Sequence, residues 1–129
     1  MPHDPNRSEP SWARKFRNAF RGVKEGMYNQ SSFRVHFSVA VAVIAAAAAL
    51  GASLMEWCLL LLCIAAVFTA EMFNSALESM AKAITGKSDP HLGNSLDIGS
   101  AAVLLASAGA SIVGTIIFVR RLGILLGWW

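Results

Sequence analysis

The stretch Glu71-Met-Phe-Asn-Ser-Ala-Leu-Glu78 directly continues an apolar run, residues 57–70, that we interpret as membrane-embedded. Glu71 and Glu78 are seven residues apart and Asn74 lies between them, so on a helix of about 3.6 residues per turn the three share one face. Two carboxylates and an amide on one stripe place polar groups where hydration is poor. Ionisable residues at membrane depth are costly, which makes this stripe the first candidate for a functional site.

The composition predicts a small helical membrane protein. The chain has 129 residues, of which 55% are hydrophobic and only 15% charged, with a mean hydropathy of +0.51. Such a balance disfavours a soluble domain, and the length leaves room for one domain only. The net charge is +3, and seven of the eleven basic residues precede the first long apolar run. Beside a membrane span, a basic arm favours an anionic lipid surface over nucleic acid.

The N-terminal region divides into a polar tail and an amphipathic helix. Residues 1–10 contain three prolines and are predicted to be disordered. Residues 12–28 carry apolar side chains at three- and four-residue steps, with the basic side chains opposite, which predicts a helix lying on the membrane surface. A helix packed on a protein core is the alternative. The aromatic residues of this arm all lie on the apolar arc, so we do not expect a nucleic-acid partner. The apolar arc comprises Trp12, Phe16, Ala19, Phe20, Val23 and Met27.

Three further segments are long and apolar enough to cross a bilayer. We predict transmembrane helices at about 36–55, 57–85 and 97–119, so residues 11–129 form a single membrane domain. A polar loop containing Pro90 and Gly93 is expected at 87–96, before the last crossing, with Asn94 or Ser95 capping that helix.

The distribution of positive charge predicts the orientation. Nine basic residues lie on the N-terminal arm and around the second loop, against Arg120 and Arg121 on the other side. By the positive-inside rule the N-terminus and the second loop face the cytoplasm. Three helices do not easily surround a polar stripe, so a homo-oligomer is expected.

The polar residues near the cytoplasmic boundary can support phosphoryl transfer. Carboxylate oxygens suit Mg²⁺, and a carboxylate kept off the metal can accept a proton from a hydroxyl group. A metal and a base are what transfer of a phosphoryl group to an alcohol requires. The sequence has no P-loop and no glycine-rich protein-kinase loop, so a nucleotide site would have another design. The candidates are Gln30, Arg34, His36, Glu71, Asn74, Glu78 and Asp97.

Three motifs together resemble a known family. The spacing Glu71-x-x-Asn74-x-x-x-Glu78, the run of residues 97–105 beginning Asp-Ile-Gly-Ser, and Phe-Arg-Val-His at 33–36 resemble the bacterial integral-membrane diacylglycerol kinases and undecaprenol kinases. The resemblance covers roughly residues 12–120. It implies a homotrimer in the bacterial inner membrane, with sites formed between subunits at the cytoplasmic surface. It also implies ATP, Mg²⁺ and a lipid alcohol, either undecaprenol or diacylglycerol.

The resemblance also implies roles for individual residues. Glu71 corresponds to the general base that acts on the lipid hydroxyl, and Glu78 corresponds to a metal ligand. Asn74 corresponds to an amide that positions the nucleotide or the metal, and Asp97 corresponds to the acid that binds near the nucleotide. Arg34, His36 and Ser100 are expected to support the site or the lipid.

Two positions depart from the family pattern. Gln30 stands where the family has a second metal-binding glutamate, and Leu96 stands where it has a lysine before the aspartate. Gln30 can still offer an amide oxygen to the metal, and Lys87 or Lys24 can replace the missing positive charge. These changes leave an alternative open. In that alternative the protein is a catalytically degenerate member that binds lipid or nucleotide, or acts as a scaffold, without turnover.

Overall fold

The computed structural model describes residues 11–28, 31–84 and 89–128, and within these ranges every regular element is an α-helix. The predicted all-α class is therefore confirmed for the described residues. The predicted disorder of residues 1–10 and the candidate site residues Gln30 and Lys87 lie outside them. The four helices are α1 (Trp12–Tyr28), α2 (Ser31–Ala49), α3 (Leu54–Ile84) and α4 (Pro90–Leu125).

Helices α2, α3 and α4 are each long and apolar enough to cross a membrane, so they are candidate spans in agreement with the prediction. Their bounds differ from the prediction: α2 begins and ends about five residues earlier, and α4 extends beyond 97–119 at both ends. With 31 residues, α3 is about 46 Å long, and α4 with 36 residues is about 54 Å long. Both exceed the roughly 30 Å of bilayer hydrocarbon, so their ends reach the headgroup region.

The connection between α2 and α3 is a tight turn that both helices help to fix. Gly51 adopts a positive φ of 64°, which a glycine tolerates without strain, and the N–H of Ala52 donates back to the carbonyl of Ala47 at 2.9 Å. Ser53 then caps α3: its Oγ accepts from the N–H of Glu56, whose Oε2 accepts from the N–H of Ser53 at 2.7 Å. The two spans therefore form a hairpin.

The start of α4 corrects the predicted loop. Asp89 caps the helix, and its Oδ1 accepts the N–H groups of the second and third residues after it, at 2.8 and 3.2 Å. Pro90 occupies the first helical position, where its fixed φ and missing N–H suit a helix. Asn94 and Ser95, the predicted caps, lie inside α4. The prediction was wrong because proline, although typical of loops, is also favoured at the first position of a helix.

The packing is built around α3. It packs along much of its length with α4 and more narrowly with α2. Near the start of α2, the ring of Phe33 stacks on the ring of Phe68 in the middle of α3, with centroids 5.1 Å apart. Near the end of α2 and the start of α3, a small apolar core is shared by α2, α3 and α4. It consists of Ala47, Leu60 and Ile117.

Helix α1 contacts the spans only near its C-terminal end. No residue of this fully described helix is buried, and the rings of Trp12, Phe16 and Phe20 are exposed. A Cβ on Gly26 would lie 2.6 Å from Sδ of Met72, so α1 meets α3 closely there. The alternative of α1 packed on a core of this chain is therefore not supported. An exposed apolar arc is what a helix at a membrane surface requires.

Candidate functional site

Glu71 is the most enclosed charged residue of the described chain, with 2% of its surface exposed. Both of its carboxylate oxygens have partners on α2. The Nε2 atom of His36 lies 3.0 Å from Oε1, and the Oγ atom of Ser32 donates to Oε2 at 3.3 Å. Because both partners come from one face of α2, the carboxylate is held between two helices.

The local sequence explains how α2 reaches Glu71. Ser32 and His36 are four residues apart, so they lie on the same side of the helix. The stacked ring of Phe33 anchors this first turn of α2 on Phe68, three residues before Glu71. His36 was among the predicted candidates, whereas Ser32 was not.

Asn74 and Glu78 form the second part of the site. The Nδ2 atom of Asn74 donates to Oε1 of Glu78 at 3.0 Å, which agrees with the predicted shared face. Asn74 is 7% exposed, and its Oδ1 atom is buried without a hydrogen-bond partner among the described residues. Buried amide oxygens are normally paired, so this one is available to a ligand.

Gly99 on α4 allows the close approach to Asn74. A Cβ at this position would lie 2.7 Å from Oδ1 of Asn74 and 3.0 Å from Cδ1 of Leu77. Gly99 is buried, and any larger residue would displace the amide. Sequence reasoning quoted this glycine within a motif but gave it no role. The one signal available was a glycine in a helix interior, a position where glycine is less favourable than alanine unless close packing requires it.

The remaining predicted residues do not join this cluster in one chain. Asp97 and Ser100 flank Gly99 on α4 but are exposed. Within the described residues, no hydrogen bond or ion pair connects them to α3. Arg34 is also exposed, and its backbone carbonyl accepts a hydrogen bond from Ser38.

The chain by itself encloses more of the polar stripe than expected. Glu71 and Asn74 are both buried by α2, α3 and α4 of a single chain, so this part of the stripe is enclosed without a second copy. Glu78 remains partly exposed. The stripe thus runs from a buried carboxylate to one that solvent can reach.

The oxygen donors fit a magnesium ion that is shared with a phosphate group. In the described part of the chain, no three His, Cys, Asp or Glu residues form a complete metal site. Glu78 offers one carboxylate, and Asn74 offers its unpaired Oδ1. Mg²⁺ commonly takes one or two protein oxygens and completes its shell with water and substrate phosphates, so this donor set suits it.

A cleft of about 470 Å³ opens between α2, α3 and α4 and begins at His36. Its walls are mainly apolar, and Ser107, Ser111 and Thr115 of α4 add hydroxyl groups. The cleft therefore connects the surroundings of Glu71 with the apolar interior of the spans.

At the opposite end of the molecule, Glu56 pairs with two arginines of α4. The Nε atom of Arg121 donates to Oε2 of Glu56 at 2.8 Å, and a second guanidinium nitrogen makes a closer contact with the same oxygen. Arg120 reaches Oε1 at 3.4 Å. We call this group the far-end cluster. The sequence placed Arg120 and Arg121 on this side of the membrane but predicted no partner for them.

The fold and the site together define a class: a helical membrane protein with a buried acid and oxygen donors close to one end of its spans. Residues 17–118 match the family described as prokaryotic diacylglycerol kinase. The chain belongs to this family of membrane lipid kinases, which confirms the resemblance seen in the motifs.

Two relatives carry different names. The undecaprenol kinase of Bacillus subtilis (strain 168) is 29% identical over 109 residues, which cover 84% of this chain and 89% of that protein. The diacylglycerol kinase of Synechocystis sp. (strain ATCC 27184 / PCC 6803 / Kazusa) is 37% identical over 106 residues, which cover 81% of this chain and 61% of that protein. The chain thus spans about three fifths of the second relative.

Proposed function

We propose that this protein is a lipid kinase that transfers the γ-phosphoryl group of ATP to the hydroxyl of a membrane lipid alcohol, undecaprenol or diacylglycerol. The observation that carries the proposal is the enclosed carboxylate of Glu71, only 2% exposed on a helix long enough to span the membrane. Membership of a lipid kinase family supports it.

Glu71 acts as the general base. Its carboxylate accepts the proton of the lipid hydroxyl while that oxygen attacks the γ-phosphorus. The new bond joins the lipid oxygen to phosphorus, and the bond that breaks releases ADP. The contacts from Ser32 and His36 fix the orientation of the carboxylate before the lipid arrives.

Glu78 and Asn74 face the nucleotide. Glu78 and the free Oδ1 of Asn74 would hold Mg²⁺, which when bound neutralises charge on the transferring phosphates. Asp97 and Lys87 contribute to the nucleotide site, and Gln30 offers a further oxygen to the metal. Arg34 and Ser100, which are exposed on α2 and α4, contact the lipid or the other site residues.

The site is completed between subunits of a homotrimer. Asp97 and Ser100 are exposed in the single chain, so they are available to the stripe of another copy. The N-terminus and the site face the cytoplasm in the bacterial inner membrane, as the distribution of basic residues favours.

The direct test uses purified protein, Mg²⁺ and labelled ATP, with undecaprenol and diacylglycerol assayed side by side. We expect label in one of the two lipid phosphates, and the comparison identifies the acceptor. Glu71→Gln removes the base and should lower turnover by about 10²- to 10⁴-fold. Glu25→Gln, which changes an exposed acid on α1, is the matched control and should retain full turnover.

Absence of Mg²⁺-dependent transfer to either acceptor would overturn the proposal. The double variant Q30E/L96K then tests the degenerate alternative, because it restores the two family residues. Activity that appears only in the double variant would show that the parent chain has lost catalysis. Turnover by the parent excludes the degenerate alternative.

A further inference from the structure

We propose that His36 positions Glu71 and carries the proton that Glu71 takes from the lipid hydroxyl out of the buried site. This proposal rests on the proposed function, because it assigns the path of the proton that the kinase reaction releases. The starting observation is the 3.0 Å contact between Nε2 of His36 and Oε1 of Glu71.

The two side chains differ in how much of their surface the chain leaves exposed. The side chain of Glu71 is 2% exposed, whereas that of His36 is 23% exposed. A base enclosed to this degree must lose its proton before the next turnover, and its neighbours determine where the proton goes. His36 touches the carboxylate with one edge of its ring, and part of the remainder is exposed near the start of α2, the end of that span where the headgroup region is expected.

Ser32, the other partner of Glu71, is less suited to this task. Its hydroxyl contacts Oε2 at 3.3 Å, but a hydroxyl does not hold an extra proton near neutral pH. An imidazole ring does, and its two nitrogens allow a proton to enter at one and leave at the other. The geometry therefore assigns orientation to Ser32 and both orientation and proton transfer to His36.

The proton balance is complete. Glu71 accepts the hydroxyl proton as the lipid oxygen bonds to phosphorus and ADP leaves. In the resting site Nε2–H of His36 donates to Glu71; once the carboxyl is protonated, exchange with water moves the ring proton from Nε2 to Nδ1. The carboxyl then gives its proton to Nε2, and the resulting imidazolium releases the Nδ1 proton to water, which restores the Nε2–H donor. Glu71 is again a carboxylate and His36 is again neutral, so the cycle needs no further reactant.

The surroundings of His36 favour this route. From α3, Glu71 contacts the ring, and the thiol of Cys63 lies on the wall of the same cleft. From α4, Ser107 and Ser111 contribute hydroxyls to that wall, and the rest is mainly apolar. On α2, Arg34 is exposed two residues earlier. Among the described residues, Glu71 is the one acid in contact with His36.

The first test separates proton transfer from orientation. His36→Gln retains an N–H donor for Glu71 but accepts no proton, and His36→Ala removes both properties. We expect both variants to lose turnover by about 10- to 100-fold with little change in the KM for ATP. Added imidazole should restore turnover in His36→Ala, and the rescue by substituted imidazoles should vary with the pKa of the added base.

The matched control is His91→Ala, since His91 is an exposed histidine at the start of α4. It should retain turnover and show no response to imidazole. Full activity of His36→Gln would overturn proton transfer by His36. Absence of rescue that depends on the pKa of the added base would also overturn it.

A second measurement does not depend on turnover. The chain has three histidines, so ¹⁵N-histidine NMR can follow the His36 ring across pH with His3 and His91 as references. We expect Glu71→Gln to change the pH dependence of the His36 signals and to leave the reference signals unchanged. If wild-type protein is active but Glu71→Gln leaves the pH dependence of the His36 signals unchanged, this proposal alone is overturned. An inactive wild type overturns the proposed function and this proposal together.

Discussion

The carboxylate of Glu71 lies where an unpaired charge would be strongly disfavoured. Removing an ionised group from water is costly unless other groups pair with it. Ser32 and His36 supply those partners from α2, one to each oxygen. The same contacts that make burial tolerable also fix the direction of the carboxylate. Enclosure and orientation are therefore produced by the same pair of residues.

Gly99 provides a prediction at this scale. Gly99→Ala places a Cβ 2.7 Å from Oδ1 of Asn74, so the amide must move. We expect a stability loss of about 1–3 kcal/mol from overpacking. If Asn74 moves, it no longer holds the Mg²⁺ and nucleotide in the proposed position, so turnover should fall by about 10- to 100-fold. Thermal unfolding in detergent and the labelled-ATP assay measure the two effects.

The control for this substitution is Gly109→Ala in the same helix, where a Cβ would meet nothing within 4 Å. It should leave turnover unchanged and can stabilise α4 by up to about 1 kcal/mol, because alanine favours helix over glycine. Equal activity of the two variants would show that the approach at Gly99 has no role in the site.

Helical periodicity was sufficient to predict part of this site. The spacing of Glu71, Asn74 and Glu78 fixes their common face, and the observed hydrogen bond between Asn74 and Glu78 agrees with it. The contacts of Ser32 and Gly99 depend on how far α2 and α4 slide along α3. A single sequence contains no measure of that register, so these two residues were missed.

At the scale of the helices, hydropathy and capping decide different things. Apolar length predicted the three helices that are long and apolar enough to span a membrane, because each contains an uninterrupted apolar run of about the required length. The helix ends instead follow from a few local residues. Asp89 and Pro90 start α4 several residues before its apolar part, and Ser53 with Glu56 starts α3. Hydropathy alone therefore misplaces the ends.

The far-end cluster gives a prediction about how α3 and α4 hold together. Glu56→Gln and Arg121→Gln should each lower the midpoint of thermal unfolding, because each removes an ion pair between the two helices. The double variant should lose less than the sum of the single losses, since the two residues act as one pair. Unfolding curves of the three variants in one detergent measure this.

Arg120→Gln serves as the comparison. Arg120 reaches Glu56 only at 3.4 Å and its side chain is 61% exposed, so its loss should lower the midpoint less than that of Arg121. Strictly additive effects of Glu56→Gln and Arg121→Gln would mean that the observed pair contributes no coupling to stability.

At the scale of the whole molecule, one chain leaves part of the proposed site unassembled. Glu71 and Asn74 are buried within the chain, whereas Asp97 is exposed on the neighbouring helix. If Asp97 serves the stripe of another subunit, two inactive variants can complement each other. Glu71→Gln and Asp97→Asn, mixed in equal amounts as unfolded chains and refolded together, should recover about one quarter of the wild-type sites.

Each variant refolded alone is the control for this mixing experiment and should remain inactive. Native mass spectrometry of the mixture verifies that the subunits exchange and counts the chains in each particle. Mixed particles without recovered turnover would place Glu71 and Asp97 in the same subunit's site.

The far-end cluster has a consequence for biogenesis. A ribosome delivers the hairpin of α2 and α3 to the membrane before it has finished α4. In the proposed orientation, the acidic Glu56 is therefore already on the outer side when Arg120 and Arg121 arrive. These two arginines are the only cations of the described spans that must cross the bilayer, and Glu56 can pair with both.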